Sequence, residues 1–195
     1  MASVALKIVI ATDAWKPQIN GVVTTLSHVE DYLRAQGCEV RVIHPGDFHT
    51  FALPNYKEIC VAWNVWKFAE IFESFKPDCV HIATEGPIGL AARRYLTKRG
   101  LPFTTSLHTK FPEYVNQRIG MPVSWGYAFL RWFHEPSKAT LVTTESMRDE
   151  LTARGLKDLV VWTRGVDTQL FCPEQGDKSR EGSSQPVMVY VGRVA

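Results

Sequence analysis

The strongest constraint on the fold is the run of residues 6–34, LKIVIATDAWKPQINGVVTTLSHVEDYLR, where a strand pattern passes through a polar loop into a helix pattern. Residues 6–11 are apolar except for Lys7, and Ile8, Val9 and Ile10 are β-branched. That is the pattern of a strand covered on both faces. Beyond the loop, apolar residues recur at Val22, Val23, Leu26, Val29 and Leu33, which is helical spacing. Asn20 is placed to cap that helix, and Gly21 allows close backbone approach. Free N–H groups at a helix start attract anions, so Gly21 and Val22 are candidates to hold a phosphate. The other reading of the same residues is a plain strand-to-helix connection, and the local pattern alone leaves both open.

The rest of the chain repeats the alternation. Gly37 stops the first helix. Strands are expected over residues 39–44 (EVRVIH), 79–83 (CVHIA), 102–107 (PFTTSL), 139–144 (ATLVTT) and 159–163 (LVVWT), with a short edge strand over 57–62 and residues 47–56 irregular. Val65, Phe68, Ala69, Phe72 and Phe75 mark a helix that ends before Pro77. Pro87 opens another, which closes at Gly100. An aromatic-rich helical region spans residues 113–134, and Ser146 with Asp149 suggests a capped helix up to Arg154. Strands alternating with helices imply α/β architecture: a Rossmann-like open parallel sheet with helices on both faces. Residues 173–186 (PEQGDKSREGSSQP) are polar, aperiodic and read as a linker. Residues 187–191 (VMVYV) then begin a new buried strand. The expected organisation is therefore one domain over residues 1–172, a linker over 173–186, and the truncated start of a second domain over 187–195.

Composition excludes several classes. With 22 basic and 20 acidic residues the net charge is +2, too little for a general nucleic-acid or membrane field. No apolar run approaches the roughly 18 residues of a spanning helix. The N-terminus MASVALKIVI lacks the tripartite pattern of a signal peptide. The dispersed Cys38, Cys60, Cys79 and Cys172 show neither CxxC nor zinc spacing, as expected of reduced thiols in a cytoplasmic protein. No GxGxxG follows the first strand, and neither GxxxxGK[ST] nor GxSxG occurs, which argues against a dinucleotide site, a P-loop and an α/β-hydrolase.

In an open parallel sheet, ligands bind beyond the carboxyl ends of the strands. The residues expected there include Asp13, Trp15, Asn20, Glu85, His108, Thr109, Lys110, Glu145 and Arg164. His108 stands where a strand meets a loop, with hydroxyls nearby at Ser106 and Thr109. It suits a contact to a sugar hydroxyl or a phosphate, or a proton transfer. A buried histidine bonded to a carbonyl is the alternative. His81, inside a strand, reads as structural, and no histidine has metal-ligand spacing. Trp125, Phe129, Trp132 and Phe133 share a helical face that suits core packing, or else contact with lipid. The pairs Arg93-Arg94 and Lys98-Arg99 fit a solvated face.

The segments DAWKPQINGVVTTL, ATEGPIG, SLHTKFPEY, RGVDTQLF and VYVGR, in this order, resemble glycosyltransferase family 4 along essentially the whole chain. The resemblance implies a GT-B fold, of which this chain is the N-terminal half, and a retaining, nucleotide-sugar-dependent transfer. It is similar above all to GDP-mannose-dependent α-mannosyltransferases and sulfolipid-synthase-like relatives. GDP-mannose is then the first expectation for the donor and a UDP-sugar the second. By resemblance, His108 contacts the transferred sugar, Gly21 and Val22 meet the donor diphosphate, and Arg193 clamps it. Asp13, Trp15, Asn20, Glu85, Thr109, Lys110 and Arg164 are candidate acceptor or sugar contacts. No metal or cofactor is expected, and no nucleic-acid partner. The expected acceptor is a lipid or glycan, and the expected place is the cytoplasm, at the cytosolic membrane face. The family's lysine after that arginine and its E-x7-E motif would lie beyond Ala195, and many relatives have two glycines where this chain has Asn20-Gly21. The competing readings are a non-catalytic flavodoxin-like binding module and a GT-B enzyme of other chemistry, such as a UDP-sugar transferase or an epimerase.

Overall fold

The computed structural model describes residues 5–53, 56–108, 112–113, 116–117, 120–168 and 172. The chain divides into one compact unit, Met1–Arg164, and a second, Gly165–Ala195. Thr109, Lys110, the linker over 173–186, the strand over 187–191 and Arg193 lie outside the described residues.

The elements run β1 (Lys7–Ala11), α1 (Gly21–Ala35), β2 (Glu39–Ile43), β3 (Thr50–Leu53), β4 (Tyr56–Ala62), α2 (Phe68–Phe75), β5 (Cys79–Ile82), α3 (Pro87–Arg99), β6 (Thr104–Leu107), α4 (Val123–His134), β7 (Thr140–Val142), α5 (Glu145–Ala153) and β8 (Leu159–Val161). Six strands form one sheet in the order β2-β1-β5-β6-β7-β8. All of its pairings are parallel. The order reverses beside β1, where open α/β sheets form a crevice. The architecture is the Rossmann-like α/β sheet that the alternation predicts.

β1 shows why both faces had to be apolar. Val9 and Ala11 pack with Val80 and Ile82 under α2 and α3. Ile8 and Ile10 point the other way, to Val40, Val42 and Leu26 of α1. α4 and α5 pack together over Leu107 and Val142. Each fully buried Ile or Leu of this set contributes roughly 1.5–3 kcal/mol relative to exposure. α1 begins as its sequence predicts: Asn20 Oδ1 accepts the Val22 and Val23 N–H groups, each at 3.0 Å. It ends through Gln36 at Gly37, whose φ of +83° is left-handed.

Four details differ from the sequence reading. Residues 47–56 are not irregular: a 3-10 turn at Pro45–Asp47 leads into β3, which pairs antiparallel with β4 outside the main sheet. The expected edge strand is thus one arm of a hairpin. Ahead of α2, Val65–Lys67 forms a 3-10 turn instead of helix. The aromatic-rich region is helical at the described residues 112–113 and 116–117 but is broken before α4, which begins at Val123 after Pro122. α5 is capped by Thr144, whose hydroxyl accepts the Met147 N–H at 3.1 Å, and not by Ser146 with Asp149.

One buried carboxylate ties the layers at the switch point. Asp13 Oδ1 accepts the Ile88 N–H at 2.8 Å; Oδ2 accepts the Gly89 N–H at 3.2 Å and the Thr84 hydroxyl at 2.8 Å. The Thr84 hydroxyl oxygen in turn accepts the Asp13 N–H at 2.7 Å. Asp13 therefore satisfies the first turn of α3, which has no side-chain cap at Gly86. The fit is close: a Cβ on Gly86 would strike the Asp13 carboxylate, and one on Gly89 would strike the Thr84 carbonyl. Asp13→Ala leaves two buried N–H groups without their acceptor. It should lower the unfolding free energy in urea by about 2–3 kcal/mol, the scale of a lost charge-assisted bond. A loss below about 0.5 kcal/mol would show that the staple is dispensable.

Candidate active site

The carboxyl ends of β1, β6 and β8 bring three of the expected residues together. Gly21 starts α1, His108 directly follows β6, and Arg164 lies shortly after β8. Arg164 Nη1 stands 2.9 Å from where a Cβ of Gly21 would be. Its Nη2 is 3.5 Å from His108 Nδ1. The Trp162 ring meets the His108 ring edge-on, with centroids 6.4 Å apart. Gly21 and Arg164 are exposed and His108 is half-buried, so a solute can reach the group. The Asn20 cap consumes the Val22 N–H, and of the two amides expected to hold a phosphate it spares only that of Gly21.

His108 is held from below. Its Nε2 lies 2.9 Å from Ser106 Oγ, which is also 3.1 Å from His81 Nε2. His81 Nδ1 is 2.9 Å from Thr104 Oγ1. Burial lowers the His108 pKa, the Arg164 charge lowers it further, and Glu85 opposes. At ordinary pH the ring is therefore biased to its neutral form.

The other expected residues do different work. Asp13 is engaged by α3, as described above. Burial raises its pKa, while the Ile88, Thr84 and Gly89 donors hold it down. Trp15 is only 8 % exposed and packs with Ile10, Leu26 and Val42. Its ring lies 5.9 Å from that of His44. Asn20 is the α1 cap. Glu85 turns towards the buried His134, with Oε1 at 3.4 Å from Nε2. Asp13, Trp15 and Asn20 thus shape the loop through bonds and packing within the protein instead of presenting free side chains to a ligand. Glu145 lies in the first turn of α5 and pairs with Arg148. Among the described residues no cluster of three metal-ligating side chains occurs.

Ser106 and His81 escaped the sequence reading as site residues, although a signal for them existed. Thr104, Ser106 and His108 alternate, so they share one face of β6. A strand covered on both faces should be apolar there. The aromatic face of α4 divides: Phe133 and Tyr127 are buried, whereas Trp125 is 67 % and Trp132 48 % exposed. Arg93 does not sit free on a solvated face. Its guanidinium stacks 3.8 Å from the Trp132 ring centroid and donates to the Phe133 and Trp132 carbonyls. No helix among the described residues is long and apolar enough to cross a membrane.

Burial, and secondarily His108, brings the His81 pKa down to about 4. In the unfolded chain a histidine titrates near 6.5. Between those values the unfolded chain takes up a proton that the folded chain refuses. The contribution is thus complete above about pH 6.5 and is lost as pH falls through about 4. It amounts to about 3 kcal/mol. His108 and His44, also lowered, act in the same direction. Urea unfolding at about pH 7 and about pH 4.5 should show this loss, and His81→Gln should reduce the difference between the two. An equal pH dependence in both proteins would contradict the assignment.

Comparison with known proteins bears on this arrangement. The family model described as Glycosyltransferase Family 4 matches residues 19–170. The chain is 25% identical over 215 aligned positions to the GDP-mannose-dependent alpha-mannosyltransferase of Mycobacterium tuberculosis, covering 97% of this chain and 56% of that protein. It is 22% identical to the protein of the same name from Corynebacterium glutamicum, covering 97% and 52%. The alpha-monoglucosyldiacylglycerol synthase of Acholeplasma laidlawii is 30% identical over 129 positions, covering 57% of this chain and 32% of that protein. The chain spans about half the length of the mannosyltransferases it matches.

Proposed function

The chain belongs to glycosyltransferase family 4, and from that premise we propose that it is the acceptor-side half of a retaining mannosyltransferase. The donor in this reading is GDP-mannose and the acceptor a lipid or glycan hydroxyl. The observation that carries it is the convergence of Gly21, His108 and Arg164 at the carboxyl ends of the sheet. The names of the two mannosyltransferase relatives support the donor, and the name of the Acholeplasma relative supports a lipid acceptor.

In this transfer the bond from the sugar C1 to the diphosphate oxygen breaks, and a bond from C1 to the acceptor oxygen forms on the same face. The acceptor proton passes to the departing diphosphate. Negative charge therefore grows on the leaving group, and preorganised donors that meet it lower the barrier. The Arg164 guanidinium and the Gly21 N–H are such donors, and Arg193 is the third in this reading. A planar guanidinium suits two phosphate oxygens at once. With these cations in place no metal is required. His108 touches the transferred sugar. The donor base and most of the diphosphate are bound by a second domain, and the two close over the substrates. The protein works in the cytoplasm, against the cytosolic membrane face.

Two variants test this in the protein extended by its donor-binding domain. His108→Ala should lower kcat by about 10²-fold with little change in melting temperature. A variant that melts much lower while its folded fraction keeps full activity would make His108 structural. Gly21→Val puts a side chain where the Arg164 guanidinium lies, and a long flexible arginine can yield, so folding should survive. The donor KM should rise at least about tenfold, as expected when one charge-assisted phosphate contact is lost. Unchanged steady-state constants would remove Gly21 and Arg164 from the donor site.

A further inference from the structure

The hydroxyl of Ser106 has three polar neighbours, which fix the protons around it. A serine hydroxyl carries one proton and two acceptor lone pairs. Ser106 Oγ lies 3.3 Å from the Ala83 carbonyl oxygen, 3.1 Å from His81 Nε2 and 2.9 Å from His108 Nε2. The carbonyl can only accept, and in one arrangement the serine proton goes to it. Both imidazoles then donate to Ser106 through Nε2–H. The far side of the His108 ring agrees independently. His108 Nδ1 faces Arg164 Nη2, which can only donate. His81 Nδ1 faces the Thr104 hydroxyl, whose one proton can go to it at 2.9 Å or to the Val80 carbonyl at 3.5 Å. Giving the Thr104 proton to the Val80 carbonyl instead would turn His81 to its Nδ1–H form and the Ser106 proton to His81, and in both arrangements His108 carries its proton on Nε2.

We propose that Ser106 and His81 are positioning residues that fix His108 as its Nε2–H tautomer and present its Nδ1 lone pair on the Arg164 side. Ser106 is 1 % exposed and sits on β6, so it cannot drift with the loop. His81, on the neighbouring strand β5, and the Ala83 carbonyl both hold the Ser106 hydroxyl, which leaves the serine no proton to offer His108. Arg164 guards the lone pair from outside. The charged groups facing His108 are Arg164 and Glu85, with His81 behind Ser106.

The assignment selects the chemistry that His108 can recognise. A lone pair accepts a proton donor. When Arg164 swings to an arriving anion, Nδ1 is left to accept from a hydroxyl group. A phosphate oxygen has no proton to give it and is repelled by the same lone pair. His108 therefore reads a sugar or acceptor hydroxyl, and the diphosphate is left to Arg164 and Gly21. This consequence rests on the proposed placing of His108 against the sugar. The tautomer itself does not depend on that placing.

Long-range proton–nitrogen correlation spectra of the nitrogen-15 histidine-labelled chain, recorded above the histidine titrations, read each ring nitrogen directly. We expect His108 to be protonated at Nε2, with the Nδ1–H form below about a tenth, the range of a minor state. Ser106→Ala and His81→Phe should raise that form at least about threefold. His81→Gln, which keeps an N–H near the Nε2 position, should restore the original spectrum. Arg164→Met at the exposed end should also raise the minor form, and it keeps the test decisive if Ser106→Ala does not fold. A purely structural role would change melting and leave the tautomer alone. Protonation at Nδ1 in the unsubstituted chain, or a tautomer unchanged in the folded variants, would overturn the proposal. Since no turnover is measured, this result stands apart from the His108→Ala kinetics, which test the mannosyltransferase reading.

Discussion

The carboxylate of Asp13 ties the end of β1 to the first turn of α3. The crevice beside β1 lies where the strand order reverses, and in many parallel sheets it receives a phosphate on a helix N-terminus. Here the protein supplies its own anion. Asp13 takes the Ile88 and Gly89 N–H groups that a phosphate would use, and Thr84 locks it from the side. At the start of α1, Asn20 likewise takes the Val22 and Val23 N–H groups and spares that of Gly21. With these amides engaged internally, the proposed reading leaves an anion to the Gly21 N–H and to a cation. In that reading Arg164 is the cation, and Gly21 gives it room.

The polar face of β6 follows from the same arrangement. A doubly covered strand loses stability when it buries hydroxyls and imidazoles unless each finds a partner. Thr104, Ser106, His81 and His108 satisfy one another across β5 and β6. On the opposite face, Thr105 bonds Thr140 at 2.9 Å and the His134 ring at 2.8 Å. The strand thus carries polar networks on both faces near its carboxyl end, while Leu107 remains in the apolar core. Such networks hold side chains in one geometry because each alternative leaves a buried group unpaired.

The parts of the fold legible in the sequence were those set by periodicity and by local caps. The alternation of apolar strands with amphipathic helices carries the sheet, and Asn20-Gly21 marks the start of α1 correctly. The hairpin was missed because β3 is short and lies next to a proline, so it has too few residues to display a period. The engagement of Asp13 and Trp15 within the protein was not legible for another reason: loop position suggests exposure, but burial in a loop depends on what packs above it. Trp15 is covered by the end of β2 through His44, and Asp13 by α3. Neither partner is near in sequence. Arg93 shows the same limit, since its partners are carbonyls at the far end of α4.

In the proposed reading Gly21, Arg164 and His108 form a set, held by their immediate surroundings. Gly21 lacks the Cβ that would displace the guanidinium. Among the described residues Arg164 meets the neutral face of His108, with its Nη2 at 3.5 Å from Nδ1. His108 lacks a charge, since burial and Arg164 both disfavour its protonation. A protonated imidazole 3.5 Å from a guanidinium would push the arginine out of the site. Keeping the ring neutral therefore keeps the cation in place, and the tie through Ser106 and His81 keeps the neutral ring turned so that its lone pair meets that cation. The surface chemistry of the site is in this sense set one layer down, on the α1-facing side of strands β5 and β6.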